Sequence, residues 1–181
     1  MKTLDKVSSF ALVRASVTCI GLVIWTVCVY FLVPFSIMNS LPVFIFYCLL
    51  ILNSFFSICV FATLTKREDT RQQFIDLLLA ICLILLPTTF NTPLYFVMIC
   101  LLLFNIATLK YIYLMPIAGY STLFYRKIKV DTWGIFLCSL TIIGLIMGFS
   151  QLSLIFFTTV FFIANTYVLW HRPLYKIELH K

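Results

Sequence analysis

All formally charged side chains of this 181-residue chain fall in four clusters: Lys2 to Arg14, Lys66 to Asp76, Lys110 to Asp131 and Arg172 to Lys181. The charge-free blocks between them cover residues 15–65, 77–109 and 132–171. A helix needs about 20 apolar residues to cross the roughly 30 Å hydrocarbon layer of a bilayer, so each block is about long enough for two crossings. Each block also has a turn-like polar stretch near its middle. The pattern predicts three transmembrane hairpins with every charge left on one side of the membrane.

The composition leaves little else. The chain is 63% hydrophobic and 10% charged, far outside the soluble range. Six spans take about 120 residues, so residues 1–181 read as a single all-α polytopic domain with short loops. Membrane strands would alternate apolar and polar residues, whereas Phe96–Phe104 and Ile142–Met147 are apolar on all sides. The expected spans are about 15–33, 43–64, 73–87, 94–114, 133–147 and 152–170, with prolines at 34, 87 and 116 as stops. Residues 117–132, with the basic run Arg126-Lys-Ile-Lys129, are expected to form a connection lying in the headgroup layer. The run Ala15–Val33 is longer than a usual signal-peptide core and no A-x-A-like site follows it, so it is expected to stay as the first span.

Basic residues number three, three, four and three in the four clusters, with none in the intervening turns. The positive-inside rule then puts both termini in the cytoplasm. No asparagine lies in an N-x-S/T sequon, and the expected location is a bacterial inner membrane. The net charge of +7 sits beside spans, which fits anionic lipid headgroups rather than nucleic acid. The expected partners are membrane lipids, and another membrane protein or a second copy of the chain.

Seven cysteines fall inside the expected spans without a C-x-x-C or a zinc-like spacing to histidine, so packing is their expected role. The two histidines, His171 and His180, lie in the tail. Hydrolase, metalloprotease and phosphate-loop motifs are absent, and Glu68 and Asp69 read as a solvated loop pair. No catalytic residue, metal site or cofactor is expected.

Three sets of residues stand out. Aligning the expected outer turns on Asn39, Asn91 and Gln151 brings Asn53, Asn105 and Asn165 into register, each fourteen residues further on. Phe44, Phe96 and Phe156 also coincide, as do Cys48 and Cys100, which suggests a repeated hairpin. An asparagine in hydrocarbon needs amide partners, so these three read as interhelical hydrogen-bonding residues or as a polar ring lining a path. Asp76 and Lys110 bound the shortest charge-free block and are expected to pair near the membrane interface. Gly144 and Gly148 form a G-x-x-x-G that admits close helix packing. The functional expectation is a non-catalytic subunit, assembly, interaction or immunity-type factor. The alternative is a small-solute or ion transporter or channel, or a membrane-embedded solute-binding subunit.

Overall fold

The computed structural model describes residues 9–32, 37–64, 70–118 and 121–171. It is all-helical, with no strand among those residues. The helices are α1 (Ser9–Leu32), α2 (Ile37–Leu64), α3 (Thr70–Leu85), α4 (Pro93–Ala118), α5 (Ser121–Ile146) and α6 (Ser150–Thr166). A 3-10 turn, Leu86–Thr89, extends α3, and a π-helical turn, Tyr167–His171, extends α6. Six helical segments are long and apolar enough to cross a membrane, with mean hydropathies from 1.5 to 2.4. Helix formation costs these segments no polar backbone surface, because every internal N–H and C=O is satisfied within the helix. Their hydroxyls follow the same logic. Thr18, Thr26, Thr108, Thr132, Thr141 and Thr166 each donate to the carbonyl four residues back.

Helix α1 begins at Ser9 rather than near residue 15, and two further boundaries depart from the sequence reading at prolines. Helix α2 begins at Ile37 and carries Pro42 inside it. Helix α4 runs through Pro116 to Ala118. A proline removes one helical hydrogen bond, and neighbouring helices can re-satisfy the freed groups in an apolar bundle. Pro42 also lies against α6, whose Thr158 donates its hydroxyl to the Pro42 carbonyl at 2.8 Å.

The larger correction is the segment 117–132. It is not a surface connection, because α5 begins at Ser121 rather than near Trp133. The basic run disguised a helical stripe. Leu123, Phe124, Lys127 and Asp131 recur at helical spacing and are all buried, the first two packing with Tyr111 and Leu114 of α4.

Helix α1 packs on α2, α3 and α5 both pack on α4, and α6 closes against α2 and α5. An aromatic core holds the centre. Phe46 of α2 stacks on Phe157 of α6 with centroids 4.3 Å apart, lies 4.2 Å from Phe161 and meets Phe96 of α4 edge-on at 5.8 Å. Offset and edge-on rings add about 0.5–1.5 kcal/mol per pair beyond burial. These contacts correct the repeat register: Phe96 is buried, whereas its expected equivalents Phe44 and Phe156 are exposed. Cys100 is buried and Cys48 exposed. Counted along their helices, Asn53, Asn105 and Asn165 are the seventeenth, thirteenth and sixteenth residues.

The α5–α6 turn has a specific closure. Gly148 takes φ +87°, a conformation L side chains rarely adopt. The Phe149 N–H reaches the Gly144 carbonyl and the Gly148 N–H reaches that of Leu145, the paired bonds of a Schellman cap. Gly148 is therefore a turn residue, not half of a packing motif. Gly144 does serve close approach, since a Cβ there would collide with Ser153 Oγ of α6.

Candidate functional site

Eight charged residues lie in the described segments, and five of them, Arg14, Asp76, Lys110, Lys127 and Asp131, border one cavity of about 310 Å³. The cavity is framed by α1 through α5. Helix α2 supplies Asn53, Ser54 and Ser57, α3 supplies Gln72, and α4 supplies Tyr111. Apolar walls come from Leu22, Leu50, Leu83 and Phe104.

Two ion-paired groups divide it. Asp76 receives Lys110 Nζ on Oδ1 at 2.6 Å and Arg14 Nη2 on Oδ2 at 3.3 Å. The sequence reading paired Asp76 with Lys110 and missed Arg14, which it had left with the N-terminal charge cluster. The second group, Lys127 Nζ on Asp131 Oδ1 at 2.7 Å, was not anticipated, because both residues were assigned to a surface connection. Their i, i+4 spacing was the available signal. Tyr111 stands between the groups. Its ring centroid lies 5.9 Å from Lys110 Nζ and 5.6 Å from Lys127 Nζ, within reach of cation–π attraction. Its hydroxyl shares a 2.8 Å hydrogen bond with Ser57 Oγ.

The Lys127–Asp131 pair is the deeper one, with side chains 6% and 1% exposed. One acceptor there is unspent: Asp131 Oδ2 is buried and has no hydrogen-bond partner among the described residues. Removing a carboxylate from water costs several kcal/mol unless its lone pairs are used, so a lone oxygen at this depth marks a polar focus.

Asp131, Asn53 and Phe104 also border a second cavity of about 360 Å³ between α5 and α6. Its other walls are nearly all apolar, apart from Asn165. Phe104 is held by α5, where Gly134 leaves so little room that a Cβ would sit 2.9 Å from the ring.

The three asparagines do not form a ring. Asn53 and Asn165 are buried and both border the second cavity. Asn105 is exposed and borders neither cavity. The side-chain amides of Asn105 and Asn165 donate to the carbonyls of Leu101 and Phe161 on their own helices. These bonds run within each helix rather than between helices. Among the described residues, no three His, Cys, Asp or Glu side chains converge as a metal site requires. The described cysteines are all free thiols.

The lining brings cations, carboxylates and neutral donors and acceptors together around one space. No family model matches the chain, and neither a curated protein nor a solved structure is significantly similar to it.

Proposed function

We propose that the chain is a multi-pass inner-membrane protein that binds a small hydrophilic solute among its helices, as a transporter or a membrane-embedded solute-binding subunit, without covalent chemistry. In this reading the spans pair as hairpins, and both termini and the charged clusters lie on the cytoplasmic side. The observation that supports it is the gathering of five of eight described charged side chains around one cavity. Ionisable groups are costly within an apolar bundle and concentrate where substrates or ions pass. With three cations and two carboxylates, the lining favours a solute carrying one negative charge or charges of both signs. Fixed charges in a low-dielectric wall attract such a solute more strongly than they would in water.

The test uses the purified protein in detergent and then in liposomes. Monoanionic and zwitterionic solutes of amino-acid or sugar size are screened for thermal stabilisation, and any hit is assayed for uptake. Ser54→Leu narrows the cavity without touching either ion-paired group. A saturable hit that Ser54→Leu weakens at least tenfold supports the reading, while hits that Ser54→Leu leaves unchanged, or a screen without hits, count against it.

A second reading, an interaction or subunit role, rests on a different residue. Asn105 is exposed on α4 among exposed Met98, Leu102, Leu109 and Ile112. An asparagine facing lipid has little to bond with, whereas a partner helix would supply amide partners. Crosslinking from an Asn105→Cys variant in native membranes to a defined partner, lost in Asn105→Leu, would favour that role.

A further inference from the structure

We propose that the groove between α5 and α6 holds one acyl chain of an anionic phospholipid, whose phosphate rests on Arg126 and Lys129 near the start of α5. Three observations carry this, and none depends on the solute reading of the first cavity.

The first is a single helix face. Arg126, Lys129, Trp133, Phe136 and Leu140 are all exposed and follow one another at three- and four-residue steps, which align them along one side of α5. The last three border the cavity of about 360 Å³, as do Val130 and Leu137 beside them. The two cations therefore stand on the same face as the cavity wall, with Lys129 about 6 Å along the helix axis from Trp133. Tyr125, exposed next to Arg126, joins Trp133 in giving this end the mixture of aromatic and basic groups that suits a headgroup layer.

The second is charge. The two carboxylates among the described residues are both engaged: Asp76 holds Lys110 and Arg14, and Asp131 holds Lys127. Lys129 makes no ion pair among the described residues, and Arg126 adds positive charge to the same exposed face. Asp131 does not oppose an anion there, because its side chain is 1% exposed and Lys127 compensates it at 2.7 Å. Basic residues beside a span attract anionic lipid. A zwitterionic headgroup brings its own cation and gains less from the same pair.

The third is depth. Trp133, Phe136 and Leu140, with Phe156 of α6, make an exposed rim around a lining that is nearly all apolar. Both helices are long and apolar enough to cross a membrane, so the rim faces hydrocarbon, and a water-soluble anion would have to cross lipid to lie in it. From Lys129 to Leu140 the helix rises about 16 Å. That is close to half of the roughly 30 Å hydrocarbon layer, so a headgroup at Lys129 sets an acyl chain of its own leaflet alongside the whole groove. The volume lies at the low end of small-molecule sites, which fits one chain and leaves the second in the bilayer.

The experiment places the purified protein in phosphatidylcholine nanodiscs with a trace of radiolabelled phosphatidylglycerol that carries a photoreactive diazirine in one acyl chain. Saturable labelling of one lipid per chain is expected, mapped by peptide mass spectrometry to the α5 and α6 walls of the groove. Unlabelled phosphatidylglycerol and phosphatidic acid should each compete about tenfold or more better than phosphatidylethanolamine, which keeps the phosphate and chains and adds a cation. Glycerol phosphate, which keeps the anion and loses the chains, should not compete. Arg126→Gln with Lys129→Gln should lower labelling at least tenfold, whereas Arg71→Gln, which removes an exposed cation of α3, should leave it unchanged. Ala164→Phe fills the groove from an exposed position of α6, so it should abolish labelling while the melting temperature holds. Ser54→Leu, which narrows only the first cavity, should leave labelling unchanged, so the two readings fail separately. Equal competition by phosphatidylethanolamine, competition by glycerol phosphate, or label spread evenly over the other helices would overturn the proposal. So would equal losses in Arg71→Gln and in the Arg126→Gln, Lys129→Gln double variant, or retained labelling in a folded Ala164→Phe protein.

Discussion

Lys127→Met is the substitution that asks most of this structure. The pair it breaks has a 2.7 Å contact between side chains 6% and 1% exposed. Solvent screening, which reduces surface pairs to about 0–1 kcal/mol, is therefore largely absent. Removing Lys127 leaves Asp131 with a buried charge and without the cation it pairs with, and the loss of one member of a buried pair costs about 3–5 kcal/mol. The same principle makes the double variant informative. Lys127→Met with Asp131→Leu removes both desolvation penalties and replaces the pair with apolar volume, a change that is often neutral or stabilising. The double variant is expected within about 1 kcal/mol of the parent, well above the single variant. Equilibrium unfolding of the four proteins of the cycle in mixed micelles, followed by helical circular dichroism, supplies the coupling energy. A Lys127→Met cost within about 0.5 kcal/mol would match an exposed pair and refute the buried arrangement.

Other substitutions probe the packing around the cavities. Gly144→Val should cost about 1–3 kcal/mol through overpacking against Ser153, and Ser153→Ala should recover part of it, read from melting temperatures. Thr158→Val deletes the hydroxyl that bonds the Pro42 carbonyl and should cost about 1 kcal/mol in the same assay. Asn165→Leu, at a buried polar position, should destabilise the isolated protein, whereas Asn105→Leu, at an exposed one, should not. The opposite order would mean that Asn105 is the asparagine structurally engaged within the bundle.

What the sequence made legible was its helical, membrane-type architecture, because charge and hydropathy are set by residue type alone. The six apolar segments follow from where Lys, Arg, Asp and Glu are missing, and the closeness of Asp76 and Lys110 follows from the short block between them. The site was only half visible. Arg14, Lys127 and Asp131 sit in charge clusters that read as flanking loops, because sequence gives the number of charges in a cluster but not which face of a helix each occupies. A basic run therefore hid a buried i, i+4 pair. The asparagine register failed for a related reason: it was counted from turn positions, while Asn39 and Pro42, read as turn residues, lie inside α2. Pro42 and Pro116 lie inside helices packed in an apolar bundle, a tertiary setting that local propensity cannot report. Gly134 and its close contact with Phe104 left no signal in the sequence at all.

The central claim is that charge gathers around a hydrated ligand space inside an otherwise apolar bundle. Ser54 is the side chain to question, since it borders that cavity and makes neither of its ion-paired contacts. With the native cysteines replaced, Ser54→Cys is placed in membrane vesicles and exposed to a small membrane-impermeant thiol reagent, with Leu102→Cys on the outer face of α4 as the lipid-facing comparison. The account predicts labelling of Ser54→Cys in inside-out vesicles, slowed by any bound solute, and no labelling of Leu102→Cys. A Ser54→Cys thiol that stays inert from both sides of the membrane, in protein shown to be folded, would contradict it.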